Sequence, residues 1–170
     1  PCFMRITLNH GTRPKAEKYA YIILPNASEN ETKAYSENGG ISVLEQSEQI
    51  HLIYDKENDI YAFNLFSGTY SIGGFTFKAP CSAIINKNNS TVCISDPTLS
   101  AKDITVACGS GIKIAPSASY ESDGSAAEIS TLSRPGKTTV INYKEEGAAS
   151  DNSEEKTISM KMRFVNHAVS

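Results

Sequence analysis

No stretch of this 170-residue chain stays apolar for the ~18 to 20 residues that a membrane helix requires. The chain also lacks a basic surplus. Its 16 Lys and Arg stand against 19 Asp and Glu, a formal charge of -3, so the whole-chain field offers nothing to a phosphate backbone. Neither a membrane nor a nucleic acid is an expected partner.

Catalytic patterns are missing as well. There is no HExxH, and no Ser, His and Asp/Glu set shows nucleophile-elbow spacing. Gly109-Ser110-Gly111 lacks the strand–GxGxxG–helix setting of a dinucleotide loop. The four cysteines, at 2, 81, 93 and 108, follow no CxxC zinc pattern. No carboxylate cluster has metal-ligand spacing. No catalytic residue, metal or cofactor is expected. Cys81 and Cys93 flank a turn-like run and face each other across a hairpin in one reading; in the preferred reading the thiols are free and buried. The chain opens on Pro1-Cys2, with no initiator Met and no signal-peptide regions. The expectation is a processed piece of a longer protein, with any export signal upstream.

What is present is alternation of period two. In 157–164, Ile158, Met160, Met162 and Phe164 share one face while Thr157, Ser159, Lys161 and Arg163 share the other, the pattern of a half-buried antiparallel strand. Further strands are predicted at 3–8, 18–24, 41–44, 50–54, 60–66, 75–77, 83–85, 91–94, 104–108, 112–114 and 138–143, from β-branched and aromatic residues. Asn38-Gly39-Gly40, 56–59, Gly73-Gly74, 86–89 and 134–136 supply the turns. The fold class is all-β, an antiparallel β-sandwich, with one short helix near 29–37. Ser28-Glu29-Asn30-Glu31 opens that helix as a capping box, and Asn38-Gly39 stops it. Small, polar, acidic stretches at 117–127 and 145–155 are expected to be mobile loops.

Residues 1–38 hold two predicted strands and one helix, too little to bury a core alone. They are expected to be the tail of a larger sheet, or to dock on residues 41–170. Within them, His10-Gly11-Thr12-Arg13-Pro14 reads as a stiff connection in which Pro14 pushes Arg13 toward extended geometry. Tyr19 and Tyr21, with Lys15 and Lys18, are the candidate carbohydrate-binding residues: aromatic faces stack on pyranose rings and lysines pair with uronate carboxylates. The competing reading packs Tyr19 and Tyr21 against a neighbouring sheet. His51 should point away from Ile50 and Leu52, and His51 and His167 are expected to be structural or solvated. Four Asn-x-Ser/Thr triplets, starting at Asn26, Asn30, Asn88 and Asn89, have meaning only in a secreted eukaryotic protein.

His10-Gly11-x-x-Pro14, then 19–25 (Tyr-Ala-Tyr-Ile-Ile-Leu-Pro), an acidic helix ending in Ala34-Tyr35, Ile41-Ser42-Val43-Leu44, and Ser95-Asp96-Pro97-Thr98 after a hairpin together resemble polysaccharide lyase family eight, the bacterial hyaluronate, chondroitin and xanthan lyases. The resemblance covers residues ~3 to 108 and continues beyond them in strand rhythm only. It implies an α/α toroid, a central β-supersandwich and a C-terminal β-sandwich, with residues 1–40 closing the supersandwich and 41–170 forming the sandwich. It implies β-elimination on acidic polysaccharides, glycosaminoglycans such as chondroitin sulfate or hyaluronan. The family's Asn, His, Tyr and Arg lie in the toroid, upstream of Pro1, and His10 is not the family's catalytic histidine. The implied partners are the upstream toroid and supersandwich and an acidic polysaccharide. The implied location is secreted or periplasmic, in a bacterium. The alternatives are a stand-alone carbohydrate-binding or adhesive module, or a purely structural surface-protein domain.

Overall fold

A computed structural model describes residues 7, 9–15, 17–78, 80–100, 103–130 and 136–146. The strand expected at 157–164, with Cys2 and His167, lies outside the described residues, as does almost all of 3–8.

One helix, α1 (Glu29–Asn38), precedes the strands. Ser28 Oγ accepts from the Glu31 N–H at 3.3 Å, and the Glu31 carboxylate accepts from the Ser28 N–H at 2.7 Å, which completes the capping box. No side chain of α1 is buried. The stop at Gly39 works by close approach: its φ is an ordinary -62°, but a Cβ there would lie 2.7 Å from the Tyr35 ring and carbonyl.

Twelve strands follow: β1 (Ile41–Gln46), β2 (Ile50–Asp55), β3 (Ile60–Leu65), β4 (Thr69–Ile72), β5 (Phe75–Lys78), β6 (Cys81–Asn86), β7 (Thr91–Ser95), β8 (Ile104–Cys108), β9 (Ile112–Ile114), β10 (Glu121–Ser122), β11 (Ala126–Ile129) and β12 (Thr139–Glu145). They form a seven-stranded sheet in the order β1-β2-β3-β6-β7-β12-β9 and a five-stranded sheet in the order β10-β11-β8-β5-β4. Every pairing is antiparallel. Among the described residues the observed fold is an all-β sandwich with a single short helix.

Turn chemistry sets the register. Gly73 and Gly74 have φ of 62° and 88°, the two left-handed positions that a two-residue hairpin between Ile72 and Phe75 needs. Asp55 closes the β2–β3 connection, accepting from the N–H groups of Glu57 (3.0 Å) and Asn58 (3.2 Å). Asn86 Oδ1 accepts from the Asn89 N–H at 3.0 Å between β6 and β7.

Alternation sends Ile50, Leu52, Phe63, Leu65, Ile85, Val92, Ile94, Ile141 and Tyr143 inward from the large sheet, to meet Phe75, Phe77, Ile104, Val106, Ala127 and Ile129 of the small one. Two edge-to-face aromatic pairs, Phe63–Phe77 and Phe75–Tyr143, each at 4.8 Å between centroids, bridge the sheets. That is the geometry the ring quadrupole favours.

Four expectations are corrected. Residues 18–24 form no ladder; they run beside β1 and lack a strand partner among the described residues. Arg13 is left-handed at φ 60°, because the loop curls at 12–13 after Gly11 (φ 75°), whose N–H donates to Asn9 Oδ1 at 2.9 Å. The 117–127 stretch carries β10 and the start of β11, and Tyr120 within it is buried, its hydroxyl donating to the Ala115 carbonyl at 2.6 Å. Cys81 and Cys93 do share a hairpin but not a face. The β6–β7 register pairs Cys93 with Ile84; Cys81, three residues from Ile84, therefore points to the core. Cys81, Cys93 and Cys108 are free, Cys81 buried and the other two half-buried.

Candidate functional site

Two exposed features remain once the core is accounted for: an N-terminal arm, residues 17–24, and the outer face of the large sheet. The arm is anchored at the end of β1. Lys18 Nζ donates to the Gln46 carbonyl, and Gln46 Nε2 donates to the Tyr19 carbonyl at 3.2 Å. Beside this anchor the Glu45 carboxylate accepts from the Tyr70 hydroxyl at 2.6 Å and from Ser47 Oγ at 2.8 Å, tying β1 to β4 of the other sheet. The Tyr70 bond, and secondarily Ser47, holds the Glu45 carboxyl below the usual carboxylate range. The same bond raises the Tyr70 phenol.

The four candidate carbohydrate-binding residues all lie on or beside this arm. Lys15, Lys18, Tyr19 and Tyr21 are exposed, and Tyr21 keeps 69 % of its surface in solvent. The structure does not pack Tyr19 or Tyr21 into a sheet. Tyr19 lies 6.0 Å from the His10 ring, tilted by 45°, so the 10–14 loop folds back on the arm. Lys18 is committed to the Gln46 carbonyl. A groove of about 580 Å³ separates the arm from α1 and from the outer side of β1 and β2, with Tyr21, Ile22, Tyr35, Val43 and Ile53 among its walls.

The Ser95-Asp96-Pro97-Thr98 signature is a structural hub. Asp96 is buried and accepts from the Thr98 N–H (2.8 Å), Thr98 Oγ1 (2.6 Å) and the Ser100 N–H (3.1 Å). The Thr98 hydroxyl is the chief reason its carboxyl stays below the usual range. His51 is exposed, edge-on to Phe66 at 5.0 Å, with Ile50 and Leu52 on the opposite face. Among the described residues no three His, Cys, Asp or Glu side chains are placed to share a metal ion. None of the described helices is long and apolar enough to cross a membrane.

Residues 42–105 match the family described as polysaccharide lyase family 8, C-terminal beta-sandwich domain. That stretch, 42–105, belongs to the C-terminal β-sandwich domain of polysaccharide lyase family 8. The chain is 30% identical over 107 residues to the hyaluronate lyase HylB of Enterococcus faecalis, a match covering 61% of this chain and 11% of that protein. It is 24% identical over 135 residues to the chondroitin sulfate ABC exolyase of Bacteroides thetaiotaomicron, covering 78% of this chain and 13% of the relative. The fold is also that of a Streptomyces coelicolor A3 chondroitin AC lyase (TM-score 0.61, 16% identity, 81% of this chain and 19% of that one). A Paenibacillus xanthan lyase shares it too (TM-score 0.56, 17% identity, 72% and 13%). The chain spans only 11% to 17% of the length of the curated relatives it matches. The matched family stretch ends inside β8. β12 is nevertheless the neighbour of β7, and β11 the neighbour of β8, so the family domain closes here only with strands beyond the matched residues.

Sequence reasoning missed the apolar outer face of the large sheet. The signal was there: β1, β2 and β6 read Ile-Ser-Val-Leu, Ile-His-Leu-Ile-Tyr and Ala-Ile-Ile. Such near-continuous apolar runs belong to strands covered on both faces.

Proposed function

We propose that this chain is the non-catalytic C-terminal β-region of a bacterial polysaccharide lyase that cleaves acidic polysaccharides, glycosaminoglycans such as chondroitin sulfate or hyaluronan, by β-elimination. The groups that abstract the proton α to the uronate carboxylate and protonate the leaving oxygen belong, on this reading, to a toroid upstream of Pro1. Residues 1–40 complete the central supersandwich of that parent, and residues 41–170 form its C-terminal sandwich, which braces the central sheet. The protein is secreted or periplasmic.

The observation that carries this reading is the arm. Residues 17–24 include Tyr19, Tyr21, Ile22 and Ile23, all exposed, on a segment with no ladder among the described residues. An apolar, strand-like segment in that state is what remains of a sheet whose other strands are elsewhere. On this reading the missing neighbour is the central sheet of the parent lyase.

The test is a direct assay. The 170-residue chain mixed with chondroitin sulfate or hyaluronan should give no rise in ultraviolet absorbance from unsaturated uronides; a clear rise would overturn the proposal. A weak carbohydrate contact through Lys15, Lys18, Tyr19 and Tyr21 is the finer part of the same reading, and the stand-alone binding module is its rival. Saturable titration with glycosaminoglycan oligosaccharides by this chain alone, abolished in Tyr19→Ala and Tyr21→Ala, would favour the module. Binding that needs the longer parent favours the scaffold.

A further inference from the structure

The outer face of the large sheet carries a shallow groove of about 380 Å³, open among the described residues. Its two sides differ in chemistry. One is an apolar row in which Ile53 stands opposite Ala62, Ala62 opposite Ile84, Ile84 opposite Cys93 and, past the groove, Cys93 opposite Val140. The other is a polar row in the same register: His51 opposite Asn64, Asn64 opposite Ser82 and Ser82 opposite Ser95, with Thr138 next along the lining. The two rows lie two residues apart on each strand, because alternate side chains share a face. On the far side of the apolar row Asp55, Ile60 and Asn86 stand in register, outside the groove.

The fold does not use up the polar row. Ser82 Oγ donates to Asn64 Oδ1 at 2.6 Å, which leaves the Nδ2 donors of Asn64 for a ligand, along with the side-chain groups of His51, Ser95 and Thr138. No Lys, Arg, Asp or Glu lines the groove. A phosphate, a metal ion or a uronate carboxylate would therefore find no fixed counter-charge there. A purely apolar occupant would leave the polar row unpaired. Both rows are satisfied by a neutral ring with hydroxyl and amide groups on one edge and an apolar group on the other. An N-acetylhexosamine is such a ring, with its acetyl methyl as the apolar group. From His51 to Ser95 the polar row crosses three inter-strand spacings, about 14 Å, longer than a single ring. At the His51 end Phe66 is 47% exposed and edge-on to the His51 ring at 5.0 Å, which offers an aromatic face to the neighbouring ring.

We propose that this groove binds an N-acetylhexosamine unit of a glycosaminoglycan, with its hydroxyl and amide groups on the row from His51 to Thr138 and its acetyl methyl on Ala62 and Ile84. The source of the sugar rests on the reading of this chain as part of a glycosaminoglycan lyase; the site itself lies apart from Lys15, Lys18, Tyr19 and Tyr21. Hyaluronan, which carries the unit unsulfated at every second ring, fits an uncharged groove better than chondroitin sulfate does. The test is titration of the isotope-labelled 170-residue chain with hyaluronan hexasaccharide and with chitotriose, a neutral N-acetylglucosamine oligomer, followed by backbone amide shifts. Both should move the amides of His51, Asn64, Ser82 and Ser95. Cellotriose, with a hydroxyl in place of each acetamido group, should bind about fivefold more weakly. Asn64→Ala should weaken chitotriose binding by about fivefold, the loss of one hydrogen bond; Asn64 is exposed, and the remaining amides report that the fold is kept. No shifts with chitotriose, shifts confined to residues 15–24, equal binding of cellotriose, or an Asn64→Ala chain that binds like wild type would each overturn the proposal. The two readings fail separately: a chain that cleaves hyaluronan overturns the non-catalytic role whether or not the groove binds, and an empty groove leaves that role standing.

Discussion

Two buried tyrosines offer the same chemistry with opposite signs. The Tyr143 hydroxyl is buried and has no hydrogen-bond partner among the described residues, and burial pushes its phenol up to about 12. The Tyr120 hydroxyl donates to the Ala115 carbonyl at 2.6 Å. An unpaired buried hydroxyl costs about 1–3 kcal/mol, while a typical paired one contributes about 1 kcal/mol. Tyr143→Phe removes the unpaired group and keeps the ring, with its edge-to-face contact on Phe75 at 4.8 Å. It should stabilise the fold by about 1 kcal/mol, and Tyr120→Phe should destabilise it by about the same amount. For a chain of 170 residues each is worth about 2–4 °C in Tm. The chain has no Trp, so thermal or urea unfolding is followed by far-ultraviolet circular dichroism. A Tyr143→Phe protein that melts lower than wild type by as much as Tyr120→Phe would refute the reasoning, because it would mean that the Tyr143 hydroxyl is bonded.

Alkaline stability follows from the same burial. The Cys81 thiol is pushed by burial from 9.0 to about 12 and the Tyr143 phenol from 10.0 to about 12. Both folded-state values are raised, so their contribution is complete below pH 9 and is lost as pH climbs from 9 through 12. A pH series of urea midpoints should fall over that window and flatten in Cys81→Ala/Tyr143→Phe; an unchanged fall in the double variant would exclude these two groups as its source. The Asp96 carboxyl is depressed, so its share is present above pH 3.8 and is lost as pH falls further. Asp96→Asn keeps one acceptor but sets an amide against the Thr98 and Ser100 donors, and should cost about 1–2 kcal/mol in urea unfolding at pH 7; a neutral result would remove Asp96 from its place as hub. Gly74→Ala combines a φ of 88° with a Cβ 2.6 Å from Ile112 Cδ1. It should lower stability by about 1–2 kcal/mol, and an unchanged Tm would count against the left-handed turn.

Legibility tracked how many physical constraints a segment carries by itself. β2, β3, β6, β7 and β12 could be read from residues alone, because each presents several β-branched or aromatic side chains between turn residues with their own chemistry, such as Asp55 or Asn86. β4 and β10 could not. Thr69-Tyr70-Ser71-Ile72 is four residues at a sheet edge and Glu121-Ser122 is two, too short for any period to register. In both cases the neighbouring strand, not the segment, supplies the information. The arm failed in the other direction. Its residues read as a strand, and a strand needs a partner that the described residues do not contain. Of the candidate site, the sequence offered Tyr19 and Tyr21 either as stacking faces or as packing residues and did not decide between them, and the anchorage of Tyr19 through Gln46 joins residues 27 positions apart and leaves no trace in local sequence.

The apolar outer row shows why face assignment was the harder problem. Period-two reasoning divides a strand into an inner set and an outer set and expects the outer set to be polar. In β2 the outer set contains Ile53 beside His51, in β6 Ile84 beside Ser82, in β12 Val140 beside Asn142. Each of these taken singly is an ordinary exposed apolar residue. Only the register aligns them, since Ile53, Ala62, Ile84, Cys93 and Val140 come from five strands separated by up to 87 positions in the chain. A one-residue slip of any of these strands would turn its member of the row into the core. The continuity of the row therefore rests on the same constraint that fixes the core.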